Sequence, residues 1–263
     1  MPITSEERPS GGGEHAHVRI AAAGDVHCGE GTDREALRAA FRDAASRADV
    51  ILLAGDLTTH GEPENAEILV EACGGLEVPV LTVLGNHDHH AGRADEVAQT
   101  LRDGRIDVLD RDHRILDLDG TQLGVAGTKG FVGGFVGSHL PDFGEPLLRR
   151  VYAEGMEEVA ALDEALKAIA LCPLRVALLH YAPTTETLVG ERETIWTFLG
   201  TDRLAMPISE HCPDVVLHGH AHAGTFEGRI GEVPVHNVAV PLMGQPFWVF
   251  ELTATGTPSL GPL

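Results

Sequence analysis

Short apolar runs alternate with longer amphipathic segments along the chain from residue 18 onward. Five of these runs are continuous and hydrophobic, and most are bounded by Gly or Pro. They are VRIAAA (18–23), VILLA (50–54), VPVLTVL (78–84), RVALL (175–179) and DVVL (214–217). Runs of this kind are typical of strands that are buried on both faces of a sheet. The alternation therefore predicts an α/β fold whose first half is a parallel βαβαβ unit.

Two of the amphipathic segments have the periodicity of helices. Thr32 and Glu35 have the spacing of a capping box, and apolar residues then follow at i, i+4 and i+7. Those residues are Leu37, Phe41 and Ala44. A second helix is predicted over about 152–171, where four apolar residues share one face. The four are Val159, Leu162, Leu166 and Ile169.

The remaining segments predict turns and short strands. Residues 224–229, 234–240 and 247–252 have the pattern of short strands split by turns, which predicts an antiparallel part of a mixed or second sheet. Residues 127–146 are rich in Gly and aromatic residues and have no clear period. We expect a long loop there, and long loops inside compact domains are often functional.

After each of the five buried runs, Asp, Asn or His stands within the next two residues. In chain order the sequences that follow are GDVH, GDLTTHG, GNHDHH, HYAP and HGHAHAG. Because the carboxyl ends of strands border the ligand crevice of an α/β sheet, we expect these polar residues to converge. The carboxylates would repel one another without a counter-charge, whereas divalent metals stabilise such a set. The number of donors suits two ions of five or six coordination.

The order of these blocks resembles the calcineurin-like metallophosphoesterases over about residues 18–240. The matching blocks are GDVH (24–27), GDLTTHG (55–61), GNHD (85–88), a lone His180 and GHAH (219–222). The resemblance implies a four-layer α/β/β/α sandwich, in which helices flank two mixed sheets, and a dinuclear metal centre. The implied ligands are Asp25, His27 and His222 for one ion, Asn86, His180 and His220 for the other, and Asp56 as the bridge.

The resemblance also implies a mechanism in which a hydroxide shared by the two metals attacks phosphorus in line. His87 would then protonate or hydrogen-bond the leaving oxygen, with Asp88 orienting its ring. Asp88 could instead cap a helix that begins near residue 91. Asn86 would contact the substrate as well as a metal, since its amide can stabilise the charge on the phosphate oxygens.

Other candidate contacts leave two interpretations open. His60 could face the substrate or hydrogen-bond to a metal ligand. In the Gly-rich segment, an amine and three aromatic side chains could line the substrate mouth, where they would suit a phosphate attached to a base or another ring. These residues are Lys129, Phe131, Phe135 and His139. Alternatively, the Phe residues could simply pin the loop onto the core.

Composition and charge narrow the range of functions. The 263 residues, of which 43% are hydrophobic, suffice for one core. We expect a flexible tail over 1–16 and one domain over 17–263. The formal charge is 19 − 40 = −21. A negative charge repels nucleic-acid backbones, so we expect no nucleic-acid polymer as a partner.

The cysteines and the apolar runs bear on the location of the protein. The four Cys lack CxxC spacing, so we expect reduced thiols. No apolar run reaches about 18 residues, so we expect no membrane span and a cytoplasmic location.

Together these features predict a metal-dependent hydrolase of phosphate esters, with a small phosphorylated molecule as substrate. A phosphodiesterase is the first hypothesis, because GDLTTHG resembles the form found in phosphodiesterases of the family. The alternatives are a phosphomonoesterase or nucleotide pyrophosphatase, and a non-catalytic scaffold with the same fold. His, Asp and Asn donors suit two ions of Mn or Fe, and also Zn, Ni or Co. Protein partners and oligomeric state stay open.

Overall fold

The computed structural model describes residues 17–254, so the predicted tail over 1–16 lies outside the described residues. This part of the chain contains eleven strands and seven α-helices, with four short 3-10 helices in the loops. The strands are β1 (His17–Ala23), β2 (Val50–Ala54), β3 (Val80–Val83), β4 (Asp107–Val108), β5 (Asp112–Leu118), β6 (Thr121–Gly127), β7 (Leu174–Leu178), β8 (Val215–His218), β9 (Glu227–Ile230), β10 (Val233–Asn237) and β11 (Trp248–Thr253). The helices are α1 (Arg34–Arg47), α2 (Pro63–Cys73), α3 (Ala94–Asp103), α4 (Pro146–Ala168), α5 (Trp196–Leu199), α6 (Ala205–His211) and α7 (Val240–Met243).

The strands form two mixed sheets, with the orders β11-β1-β2-β3-β4 and β5-β6-β7-β8-β10-β9. In the first sheet β1 to β4 run parallel, and β11 pairs antiparallel with β1. In the second sheet β6, β7, β8 and β10 are parallel, with antiparallel partners at both edges. The predicted parallel βαβαβ unit is therefore confirmed as β1-α1-β2-α2-β3.

The two sheets pack face to face, and helices cover their outer faces. Strand β1 illustrates why its sequence is a continuous apolar run. Ile20 and Ala22 contribute to the cluster between the sheets, whereas Ala21 and Ala23 pack with Phe41 of α1 in the outer cluster. Helices α4 and α6 cover the second sheet in the same way through a third apolar cluster. This arrangement confirms the predicted α/β/β/α sandwich.

The start of α1 differs from the predicted capping box. Asp33 is the N-cap residue, and its carboxylate accepts a hydrogen bond from Ala36 N at 3.0 Å. The Thr32 hydroxyl instead accepts one from Gly29 N at 2.8 Å. The capping box is therefore wrong, because the extended backbone at Asp33 brings a carboxylate, a good N-cap acceptor, onto the first turn of the helix.

Helix α4 begins at Pro146, earlier than the predicted start near 152. Proline suits the first position of a helix, where the backbone N–H has no intrahelical acceptor. The periodicity missed this first turn because Leu147 and Leu148 are exposed and do not extend the buried apolar face. Near the other end of the chain, the predicted strand over 234–240 is split between β10 and α7, and β10 is parallel to β8.

Candidate metal centre

The first group of predicted donors lies beyond the ends of β1 and β8. Asp25 Oδ1 is 2.8 Å from His222 Nε2. Ligand atoms of Asp25, His27 and His222 all lie within 4.8 Å of one another. Asp25 is buried and also accepts a hydrogen bond from the backbone N–H of His220 at 2.9 Å. The loops after the first and the eighth strand are therefore joined at this group.

The second group lies beyond β2, β3, β7 and β8. Ligand atoms of Asp56, His180 and His220 are within 4.8 Å of one another. His180 Nε2 is 2.9 Å from Asn86 Oδ1 and 3.3 Å from Asp56 Oδ1. The other Asp56 oxygen, Oδ2, is 3.8 Å from His27 Nε2. Asp56 thus lies between the two groups, the location that the resemblance gives to the bridging ligand.

The backbone at four of the seven predicted donors is left-handed. The φ angles are 58° at Asp25, 48° at His27, 50° at Asp56 and 72° at His220. Residues other than glycine seldom adopt such angles, and they do so where the surrounding structure enforces a functional geometry. The loops therefore turn sharply after each strand, which directs these side chains toward a common point.

Glycines beside the donors are required for close approach. A Cβ at Gly85 would overlap the Asp56 carboxylate and the Asp56 backbone nitrogen. A Cβ at Gly219 would overlap the carboxylate of Asp25 in the same way. The G in the GNHD and GHAH blocks therefore leaves room for the carboxylates of the neighbouring strand ends.

The hydrogen bonds of His180 show that its ring presents a lone pair to the centre. Nδ1 lies 2.8 Å from the carbonyl oxygen of Ala54, which can only accept, so Nδ1 carries the proton. In the neutral ring Nε2 then has a lone pair, and it faces the oxygens of Asn86 and Asp56. Three acceptors that converge without a donor repel one another, and a cation among them removes this repulsion. The donor set therefore fits a metal ion.

The protonation states of Asp25 and His220 also suit metal binding. Burial lowers the pKa of His220 to about 4, so its ring is neutral near pH 7. Burial alone would raise the pKa of Asp25, but the hydrogen bonds from the His222 side chain and the His220 backbone oppose it, and the pKa is lowered. The hydrogen bond to Asp25 raises the pKa of His222, so a metal ion that binds there must displace a proton from this ring. Carboxylate and neutral imidazole are the forms that bind divalent ions.

His87 borders the centre on the side of Asp56 and His27. Its Nδ1 is 2.7 Å from the Thr59 carbonyl oxygen and therefore donates to it. This bond fixes the ring and leaves Nε2 3.9 Å from Asp56 Oδ2. The His87 ring also packs edge-on against His27, with 4.6 Å between the ring centroids. A ring held in this way presents Nε2 to the centre, where the imidazolium form can donate a proton.

Asp88 has neither of the two expected roles. Its carboxylate is fully buried and accepts hydrogen bonds from the backbone N–H groups of Leu57, Thr58 and Gly85 and from the Thr58 hydroxyl. The expected contact with the ring of His87 is absent among the described residues, because the Thr59 carbonyl occupies Nδ1. Helix α3 begins only at Ala94, so Asp88 does not cap it. Asp88 instead fastens the loop after β3 to the loop after β2.

The two predicted substrate contacts, His60 and Lys129, line different cavities at the centre. His60 is exposed and lines a polar cavity of about 440 Å³ that His27 also borders. Lys129 is largely buried and lines a cavity of about 240 Å³ that Asn86 borders. Each cavity therefore shares one wall with the donor cluster.

The aromatic residues of the Gly-rich loop divide between the two interpretations. Phe131 lines the same cavity as Lys129, whereas Phe135 is buried against Leu188 and Leu199 and anchors the loop. His139 pairs with Asp202 at 2.6 Å. Tyr181, which was not predicted, follows His180 in the HYAP block and forms another wall of the cavity. Its position directly after a predicted ligand was the available signal.

Two mixed sheets between helical layers, with Asp, Asn and His gathered at the strand ends, define a metal-dependent hydrolase. A family model described as calcineurin-like phosphoesterase matches residues 18–224. The chain therefore belongs to the calcineurin-like phosphoesterase family and is a phosphoric ester hydrolase. The family uses a dinuclear centre of divalent metals.

Solved structures share this fold at low sequence identity. The phosphopantetheinyl hydrolase PptH from Mycobacterium tuberculosis superposes with a TM-score of 0.65 at 14% identity, covering 92% of this chain and 98% of that one. The protein TT1561 of Thermus thermophilus superposes with a TM-score of 0.58 at 18% identity, covering 91% and 100%. A search of curated protein sequences finds no significant match. Within residues 17–254, no helix combines the length and apolar character needed to cross a membrane.

Proposed function

We propose that the protein hydrolyses a small phosphodiester. The observation that carries this proposal is the pair of separate cavities, one bordered by His27 and the other by Asn86. A phosphodiester has two organic arms on one phosphorus atom, so a phosphate at the donor cluster can extend one arm into each cavity. A phosphomonoester has a single arm and would leave one cavity without a ligand group.

The charges around the centre support the same choice. Within the described part of the chain, the residues at ion-pair distance from Asp25 and Asp56 are histidines, and no Lys or Arg pairs with either carboxylate. A monoester carries a charge of about −1.5 to −2 near pH 7, whereas a diester carries about −1. Without basic side chains at the donors, and with a net charge of −21, the site favours the less charged substrate.

The proposed roles of the side chains follow from their positions. Asp25, His27 and His222 would hold one ion, Asn86, His180 and His220 the other, and Asp56 both. When bound, two divalent cations supply positive charge that polarises the phosphate and lowers the pKa of water.

The chain itself would then act on the leaving group. His87, held through Nδ1 by the Thr59 carbonyl, would present a proton on Nε2 to the leaving oxygen. An alkoxide arm needs this proton more than a nitrophenolate does, because alkoxide is far more basic. The Asn86 amide would hydrogen-bond a phosphate oxygen.

The similar solved structures do not identify the substrate of this chain. PptH is named for the hydrolysis of a phosphopantetheinyl group, but at 14% identity its likeness shows the fold alone. The cavities of this chain are formed by its own loop and helix residues. The proposed substrate therefore follows from the chemistry of the residues that line these cavities.

The test compares hydrolysis of bis(p-nitrophenyl) phosphate with that of p-nitrophenyl phosphate by protein loaded with Mn²⁺. We expect the diester to have the higher kcat/KM. A preference for the monoester would overturn the diester assignment in favour of a phosphomonoesterase. Hydrolysis of neither substrate by fully metallated protein would favour the non-catalytic scaffold.

A further inference from the structure

The cavity bordered by Asn86 combines aromatic walls with charged groups. We call it the aromatic slot, and its lining residues are Asn86, His89, Lys129, Phe131, Glu154 and Tyr181. Its volume of about 240 Å³ is below the roughly 300 to 1,000 Å³ usual for drug-sized ligands. The slot is therefore suited to one ring-sized group of a substrate.

The aromatic walls of the slot are Phe131 and Tyr181. Their ring centroids are 6.1 Å apart and their planes meet at 66°. Tyr181 is buried, with its ring 4.5 Å from that of the predicted ligand His220, so its position is tied to the centre. Phe131 is half-buried and comes from the Gly-rich loop. Because the two planes are inclined, a flat ring bound here can stack on one aromatic face and meet the other ring edge-on.

Lys129 brings hydrogen-bond donors to the slot. Its Nζ lies 4.4 Å from the centre of the Phe131 ring and 5.4 Å from that of Tyr181, and it donates to the Gly130 carbonyl at 2.9 Å. Glu158 Oε1 is 3.8 Å away, which is beyond hydrogen-bond distance. That carboxylate already accepts hydrogen bonds from Arg111, Thr128 and Gly130. Since an ammonium has three N–H donors, Lys129 has capacity left for a ligand.

Glu154 adds an acceptor to the same slot. One of its oxygens, Oε1, accepts a hydrogen bond from Arg111. An ionised carboxylate has about four acceptor positions, so a ligand N–H can also be accommodated. A donor from Lys129 and an acceptor from Glu154 between aromatic faces suit a flat heterocycle that carries both kinds of group. A plain hydrocarbon would instead desolvate both charges without satisfying their remaining donor and acceptor positions.

We propose that the aromatic slot binds the base of a nucleoside phosphodiester, which makes this class the substrate of the hydrolysis proposed above. The base would lie against Phe131 and Tyr181 and would hydrogen-bond to Lys129 and Glu154. The phosphate would lie at the donor cluster, since Asn86 belongs to both the slot and the cluster. The second arm of the diester would point to the cavity beside His27.

The kinetic test compares two diesters, p-nitrophenyl thymidine 5′-phosphate and methyl p-nitrophenyl phosphate, which differ in the presence of a nucleoside. The readout is the ratio of their kcat/KM values, nucleoside diester over methyl diester, in Mn²⁺-loaded protein. We expect Phe131→Ala to lower this ratio by about tenfold, mainly through KM, because stacking is lost. Lys129→Met should lower the ratio as well. A ratio is insensitive to the fraction of misfolded protein.

The matched control is Phe143→Ala, which removes a Phe from the same loop whose side chain is highly exposed outside the slot. This control should keep the wild-type ratio, and Phe131→Tyr should restore it. An unchanged ratio in both Phe131→Ala and Lys129→Met would overturn the assignment of the slot, while hydrolysis of the methyl diester would still support the phosphodiesterase.

A binding experiment separates the slot from catalysis. Saturation-transfer NMR of thymidine with zinc-loaded protein should give stronger signals from the base than from the sugar, and Phe131→Ala should abolish them. Base signals without hydrolysis of either diester would support the slot and contradict the proposed function. Thymidine signals that persist unchanged in Phe131→Ala would contradict the slot.

Discussion

At the residue scale, the centre depends on side chains held in unusual conformations. Asp25, His27, Asp56 and His220 all have left-handed backbone, and each such residue costs of the order of 1 to 3 kcal/mol. A fold that retains several of them in one place must gain from their geometry. The pair of hydrogen bonds that fixes His180 and His87 through backbone carbonyls serves the same purpose.

His87 gives the sharpest prediction at this scale. His87→Ala should lower kcat for a diester with an alkyl leaving group by about 10²- to 10⁴-fold, since a general acid contributes about that much. Two metal ions per chain should remain bound. The control is His113→Ala, which removes a histidine that pairs with Asp112 instead of the centre. Loss of the metals in His87→Ala, or an unchanged kcat, would contradict the role of acid.

At the element scale, the strand order explains how distant blocks of sequence meet. The strands β1, β2, β3, β7 and β8 were predictable because they are continuous apolar runs, and the polar residue after each run indicated the centre. The hairpin of β5 and β6 escaped prediction because β5 is largely exposed and lacks a clean alternation. Its Asp119–Gly120 turn, with φ angles of 52° and 86°, is a recognisable signal for a two-residue hairpin loop.

The tertiary role of Asp88 could not be predicted, because a GNHD block does not show which backbone groups will surround its last residue. The aromatic slot likewise depends on a contact between the 127–146 loop and Tyr181, which are far apart in the sequence. The donors could therefore be predicted from the local sequence pattern, whereas the partners of buried polar groups are visible only in the tertiary structure.

Asp88 is also the basis of a prediction about the loops after β2 and β3. Asp88→Ala should lower the free energy of unfolding by about 3 kcal/mol, because it leaves buried N–H groups of both loops without an acceptor. Urea denaturation measures this change. Asp33→Ala, which removes the N-cap of α1, should cost about 1 kcal/mol and should leave metal affinity unchanged. If both variants lose the same free energy of unfolding and keep their metal affinity, Asp88 does not hold the two loops together.

At the scale of the whole molecule, the metals and the net charge act together. A charge of −21 makes each bound divalent cation favourable, and the donors lie at the ends of strands from both sheets. Removal of the metals should therefore destabilise the entire sandwich. At free metal of 100 times Kd, each site contributes about 2.7 kcal/mol to the free energy of unfolding.

Chemical denaturation with and without chelator tests this link. The stabilisation by metal should vanish in Asp56→Ala, because Asp56 lies between both groups of donors. It should persist in His211→Ala, which alters a surface cluster with Asp163 and Glu210 that could hold a metal elsewhere. Dependence on His211 would move the stabilising ion away from the proposed centre.

The most direct test of the account is a titration of metal-free protein with Mn²⁺ while the hydrolysis of bis(p-nitrophenyl) phosphate is followed. We expect no activity without metal, and a rate that rises with the metal content and saturates at two ions per chain. Full activity in the presence of chelator, or saturation at one ion per chain, would contradict a dinuclear metal centre formed by these strand ends.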